Sequence, residues 1–145
     1  MRTFEGHNRS LTSVNFSPDG SQIITASYDR TAKVWNSATG VKIRTIRGHN
    51  RIVSSANFSP DGRHIVTSSW DNTAKIWNTE TGDEIDTLEG HNGILTSANF
   101  SPDGKQIVTT SDDKTAKIWD TETGKEMHIL EGHDSSIISG NFSFN

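Results

Sequence analysis

Histidine, threonine, aspartate and tryptophan recur in one fixed spacing three times: His7, Thr25, Asp29 and Trp35; His49, Thr67, Asp71 and Trp77; His91, Thr109, Asp113 and Trp119. A hydroxyl, an imidazole and a carboxylate are the parts of a nucleophilic triad, in which the ring takes the hydroxyl proton and the carboxylate orients the ring. A catalytic triad, however, is one strained constellation with its own oxyanion donors, and this set returns at equivalent places every 42 residues. Repetition points to a structural device, and no catalytic residue is assigned. Metal chemistry meets the same objection. His7, His49, His91 and His133 stand 42 residues apart, too far for a local pair of ligands, and His64 and His128 are isolated and read as surface residues. The chain has no cysteine, hence no thiolate ligand, thiol nucleophile or disulfide. It also lacks a Gly-rich phosphate loop, a His-Glu-x-x-His pair and a Gly-x-Ser-x-Gly elbow. The expectation is a non-enzyme without metal or cofactor.

The elements that must position these residues are repeats. Gly6-His7, Gly48-His49, Gly90-His91 and Gly132-His133 keep a step of 42, as do the Phe-Ser pairs that begin at Phe16, Phe58, Phe100 and Phe142. The first and second units agree at 24 of 42 positions and the second and third at 29, which chance does not produce. Units run over 6–47, 48–89 and 90–131, with a lead at 1–5 and a partial unit at 132–145. Inside a unit, short alternating segments are separated by turn chemistry, with no helical period. In the first unit strands are expected over Leu11–Phe16, Gln22–Ser27, Thr31–Asn36 and Val41–Ile46. Ser17-Pro18-Asp19-Gly20, Tyr28-Asp29-Arg30 and Ser37-Ala38-Thr39-Gly40 make the turns. Each unit is thus a four-stranded antiparallel meander that needs neighbours stacked on it.

Gly-His, Phe-Ser-Pro-Asp-Gly, Ser-x-Asp-x-Thr and a Trp-Asn or Trp-Asp closing the third strand, in that order, resemble the WD-repeat β-propeller family over nearly the whole chain. The resemblance implies an all-β fold of four-stranded antiparallel blades set radially about a channel. It also implies a hydrogen-bonded chain in each unit, with Trp donating to the hydroxyl, the hydroxyl to His, and His to the turn Asp. In the family the repeat is offset from the blade, so residues 2–5 read as an outer strand and Ile137–Phe142 as a lone innermost strand. A ring of this kind closes with 4–8 blades. Residues 1–145 therefore read as a partial propeller, incomplete as a single chain. It is either a segment of a longer propeller or a chain that completes itself by head-to-tail self-association.

Positions that differ between units are the candidates for contact with partners. The residue before each turn Asp is Tyr28, Trp70 or Asp112, and two residues after each His stand Arg9, Arg51 or Gly93. In the family the first of these positions is a frequent contact point on one flat face, and Tyr and Trp dominate binding hot spots. Tyr28, Trp70, Asp112, Arg9 and Arg51 are the expected partner-binding residues. Charge is also divided: residues 1–51 carry a net +5 and residues 52–145 a net −9, which suits a basic end docking on an acidic end of a second copy. The overall net charge of −4 argues against a nucleic-acid binder.

The first ten residues have no apolar signal core and no apolar run approaches a membrane span, so a cytoplasmic chain without membrane attachment is expected. On that ground the Asn-x-Ser triplets at Asn8, Asn15, Asn57, Asn99 and Asn141 read as strand residues and not as glycan sites. Val, Ile, Leu and Phe make only 30 of 145 residues, so apolar area is scarce for covering two end faces. The function that fits best is a scaffold binding proteins or peptides. A repeat chain without its own partner, truncated or designed, is the alternative, and a propeller hydrolase is the third class.

Overall fold

The computed structural model describes residues 3–144, and among them there is no helix. Twelve strands form three sheets, each a meander in chain order: β1 (Leu11–Phe16) to β4 (Lys42–Arg47), β5 (Val53–Phe58) to β8 (Glu84–Glu89), and β9 (Leu95–Phe100) to β12 (Glu126–Leu130). All neighbours are antiparallel. No helix of the described residues is long and apolar enough to cross a membrane.

Local chemistry explains the turns. After β1, the Gly20 N–H donates to the Ser17 carbonyl, and the Asp19 carboxylate accepts from the Ser17 and Ser21 hydroxyls. Gly20 sits at φ +72°, a conformation that costs other residues energy. The turn before β4 is closed by Asn36, whose side-chain oxygen accepts from the Ala38 and Thr39 N–H groups. The Asn36 N–H donates to the Val41 carbonyl, which places Val41 in the turn, so the fourth strand starts at Lys42 and not at Val41 as the alternation suggests.

The three sheets stack face to face. Ile24, Ala26, Ala32, Val34 and Ile46 of the first sheet pack against Val53, Ala56, Ile65, Trp77 and the half-buried Phe58 of the second. The next interface repeats this one register on: Val66, Ala74, Ile76 and Leu88 meet Leu95, Ala98, Ile107, Trp119 and Phe100. The second sheet thus has a sheet on each face, whereas β2 and β10 are covered on their other side by single segments, Phe4 against Trp35 and Gly140 beside Val108 and Thr110; all three second strands are buried along almost their whole length. Alanine, serine and threonine fill much of this contact, so a chain poor in large apolar residues still closes its interfaces.

A second device fastens the sheets. Thr12, Ser54 and Thr96 are bulged out of the ladders, where the register shifts between Leu11 and Ser13, between Val53 and Ser55, and between Thr110 and Ser111. A bulge re-aims a side chain. Here it sends the Thr12 hydroxyl to the Val53 carbonyl, the Ser54 hydroxyl to the Leu95 carbonyl and the Thr96 hydroxyl to the Ile137 carbonyl. Asn15, Asn57 and Asn99 donate likewise to the carbonyls of Ala56, Ala98 and Gly140, at 2.7–2.9 Å. In return the N–H groups of Ala56, Ala98 and Gly140 donate to the Ser13, Ser55 and Ser97 hydroxyls.

Two expected strands are absent, for one reason. Thr3, Phe4 and Glu5 have no ladder partner and form no strand, though Phe4 packs edge-on against Trp35; residue 2 lies outside the described residues. Ile137–Phe142 is also irregular. It takes the clamp from β9 that an innermost strand would take, yet it has no second strand to pair with. The outer faces are correspondingly open: Val14 and Phe16 are 54% and 66% exposed, while their counterpart Ala56 is fully buried and Phe58 half-buried. Leu130 is 49% exposed where its counterparts Ile46 and Leu88 are 2% and 1%.

The clamp predicts a graded loss. Asn57→Ala should lower the unfolding free energy by about 1–2 kcal/mol, because the Ala98 carbonyl is left between two packed sheets without its donor. Asn141→Ala, at an exposed counterpart, should stay within about 0.5 kcal/mol of the parent. Urea unfolding followed by tryptophan fluorescence measures both, and equal midpoints for the two variants would refute the clamp.

Candidate functional site

The twelve residues of the repeated set come together as three separate networks with one geometry. The His ring nitrogen Nδ1 lies 2.8 Å from the Asp29, Asp71 or Asp113 carboxylate. Nε2 lies 2.7 Å from the Thr25, Thr67 or Thr109 hydroxyl. The Trp35, Trp77 and Trp119 indole N–H groups reach the same hydroxyls at 2.9, 2.8 and 2.8 Å. An ionised carboxylate only accepts, so Nδ1 carries the proton and Nε2 accepts from the hydroxyl, whose oxygen in turn accepts from the indole. Every donor has a partner.

The Asp is the hub. Asp29 accepts through one oxygen from His7 and the Asn8 N–H, and through the other from the Thr31 N–H and hydroxyl. Its own N–H donates to the Ser27 hydroxyl, which donates to the Ser10 carbonyl. Asp71 and Asp113 repeat the pattern with Thr73 and Ser69, and with Thr115 and Ser111. These serines and threonines are those of the Ser-x-Asp-x-Thr motif, to which the sequence alone assigned no place in the network.

Electrostatics follow from burial and bonding. Burial pushes the His7 and His91 imidazoles below their ordinary value of 6.5, although Asp29 and Asp113 pull the other way. Burial works against the Asp29 charge too, yet the hydrogen bonds from Thr31, His7 and Asn8 outweigh it and hold the carboxyl at about 2. Asp71 and Asp113 are lowered on the same balance, burial opposing and the bonds from His and Thr prevailing. His7 and His91 thus rest as neutral imidazoles on carboxylates. As chemistry it is closed, since Thr25, Thr67 and Thr109 are 2%, 0% and 0% exposed and a substrate carbonyl has no path to the hydroxyls.

The variable positions lie elsewhere. Tyr28 and Trp70 are exposed at the end of β2 and β6, and their rings meet edge to face with centroids 6.0 Å apart. Each is pinned by its backbone to the loop that follows the histidine: Tyr28 N–H to the Ser10 carbonyl, Trp70 N–H to Ile52, and Asp112 N–H to Ile94. Arg9 and Arg51 stand exposed in those loops, and their carbonyls accept from Ser27 and Ser69. The loop that carries each arginine is therefore held against the turn that carries each aromatic. Arg9, Tyr28, Arg30 and Arg47 line a shallow groove of about 400 Å³ between the first two sheets. Asp112 is exposed and accepts from the Ser136 hydroxyl. Arg30, Arg47 and the groove they complete were not foreseen, because residues far apart along the chain, from Arg9 to His49, build it.

Known proteins carry the same pattern. The family model described as WD domain, G-beta repeat matches residues 1–36, 40–78 and 82–120. Protein Mut11 of Chlamydomonas reinhardtii is 45% identical over 38 residues, which is 26% of this chain and 10% of that protein. Dynein assembly factor with WD repeat domains 1 of Danio rerio is 44% identical over 43 residues, 30% of this chain and again 10% of the relative. Among solved structures, the crystal structure of RRP9 WD40 repeats superposes with a TM-score of 0.90 at 26% identity, covering 93% of this chain and 42% of that one. The chain thus spans less than half of its structural neighbour, and the matched stretches a tenth of these relatives.

Two outcomes test the network. Asp71→Ala should lose about 1–3 kcal/mol in chemical denaturation, because a buried imidazole N–H is left without an acceptor; a variant as stable as the parent would show the carboxylate to be incidental. Stability should also fall with pH in two stages. Because the folded imidazoles of His7 and His91 have lowered values, the unfolded chain binds more protons as pH drops below 6.5, and the folded state loses ground. Below pH 3.8 the unfolded carboxyl protonates before Asp29, which holds its charge down to about 2, and a further loss follows. Melting temperature by circular dichroism from pH 8 to 2.5 records both, and a flat profile between 7.5 and 5.5 would contradict the first stage.

Proposed function

This chain belongs to the WD-domain, G-beta repeat family, and on that premise we propose that it is a non-catalytic scaffold whose business is to bind proteins or peptides. The observation that carries the reading is the exposed Tyr28 and Trp70 pair. The repeated residues are used up in buried networks, whereas two large aromatic rings stand at one end of adjacent sheets. Rigid amphipathic rings beside arginines supply contact area at small entropic cost, which suits an anchor for a partner. Arg9, Arg51 and Asp112 flank the pair and set the polarity of what it accepts. The name of the dynein assembly factor, a relative in one stretch, fits an assembly role and says nothing about which partner this chain takes.

The reading includes the state of the array. Residues 1–145 form one partial propeller of units 6–47, 48–89 and 90–131 with a fragment at 132–145. Its open outer faces are covered by further blades or by head-to-tail copies of itself, in the cytoplasm. The exposure of Val14, Phe16 and Leu130, set against buried counterparts, supports a covering surface of this kind.

The test is a capture experiment with matched variants. A Tyr28→Ala, Trp70→Ala double variant should lose at least about tenfold in affinity for a captured partner while its melting temperature stays within a few degrees. Arg63→Ala, at the other end of β6, should bind as the parent does. Equal capture by all three would remove the aromatic pair from the binding surface.

A further inference from the structure

The three sheets differ at one buried lysine. Lys33, Lys75 and Lys117 occupy equivalent places on the third strands, and all three are largely buried. Lys75 Nζ pairs with the Glu84 carboxylate at 2.7 Å, and Lys117 Nζ with Glu126 at 2.6 Å. The Glu84 oxygen that takes Lys75 also accepts the Thr87 hydroxyl at 2.5 Å, so one carboxylate oxygen joins both donors.

The first sheet keeps the donors and replaces the acid. Lys33 is 5% exposed and donates to the Thr45 hydroxyl at 3.2 Å, Thr45 being the counterpart of Thr87. The counterpart of Glu84 and Glu126 is Lys42, which is exposed. Among the described residues no carboxylate lies within ion-pair distance of Lys33. A buried ammonium without a counter-ion is costly, and here a second ammonium stands where the counter-ion would be. Burial foremost, then Lys42, lowers the Lys33 amine from its ordinary value.

We propose that Lys33, Thr45 and Lys42 form an oxyanion seat that takes a glutamate or aspartate side chain of an acidic partner segment running along the outer edge of the first sheet. The sister sheets show the occupant in place: a carboxylate, held in the second sheet by the same lysine and threonine and in the third by the lysine alone, where Ile129 replaces the threonine. The edge itself suits an incoming chain, because β4 pairs only with β3 and leaves its far side free for another strand. Its charge suits an acidic one, with Lys42 and Arg47 on the strand. The seat is distinct from the aromatic pair and stands or falls without it.

Hexaglutamate peptide, titrated calorimetrically at low salt, tests the seat. The parent should bind it, and Thr45→Val, which removes a hydroxyl without changing charge, should weaken binding at least about threefold. Lys42→Glu should weaken it at least about tenfold and raise the melting temperature by about 3 °C by supplying the missing acid from within. Lys105→Glu, which changes net charge equally at an exposed turn of the third unit, should stay within about threefold of the parent. The Tyr28→Ala, Trp70→Ala variant should bind hexaglutamate as the parent does, which separates this proposal from the scaffold face. Equal losses in Lys42→Glu and Lys105→Glu would overturn the seat in favour of diffuse attraction. Protection by inorganic phosphate with no binding of hexaglutamate would overturn the peptide as its occupant.

Discussion

A four-stranded sheet that buries both faces cannot stand alone, and the rest of this molecule depends on that constraint. Ile24 and Val34 need Ile65 and Trp77 across the gap, and Val66 and Ile76 need Ile107 and Trp119 in turn. The hydrophobic effect alone would allow such plates to slide. The bulged hydroxyls of Thr12, Ser54 and Thr96 and the amides of Asn15, Asn57 and Asn99 lock the distance and register between them. Close registration is what permits alanine and serine to fill the interfaces of a chain with so little large apolar volume.

Within that stack the His, Asp, Thr and Trp network performs a second duty. It ties the loop before the innermost strand to the turn between the second and third strands, through groups from four points of the chain. Buried polar groups of this kind are tolerable only when every donor is met, and a fully met network admits a single geometry. The same parts that make a catalytic triad elsewhere are here sealed from solvent and capped by an indole. Depth and repetition, not residue type, decide between the two uses. Because the network holds both loops rigid, the variable side chains those loops carry, Tyr28 and Trp70 among them, are presented on a firm base.

Much of this could be read before any coordinates. The four strands and three turns of a unit are local matters, governed by alternation and by Ser-Pro-Asp-Gly or Asn-x-x-x-Gly chemistry, and in the first unit only β4 moves, by one residue at each end. The network partners were also legible, since a 42-residue step marks them three times. Phe4 against Trp35, and the irregular course of Ile137–Phe142, were not. Whether an extended segment becomes a strand depends on a ladder partner, and alternation within the segment carries no information about one.

The sequence by itself determined the repeat, the sheet type, the turn positions and the members of each buried network, because each rests on spacing along the chain. Tertiary structure alone decided what crosses between units. The bulge at Thr12 is invisible in a pattern of apolar and polar residues, since its hydroxyl acts only when a second sheet sits at clamping distance. The step of 42 already sets Lys42 at the place of Glu84, but the isolation of Lys33 emerges only when β3 and β4 are side by side. Spacing encodes what one sheet contains, and the stacking of sheets in space sets what each side chain meets.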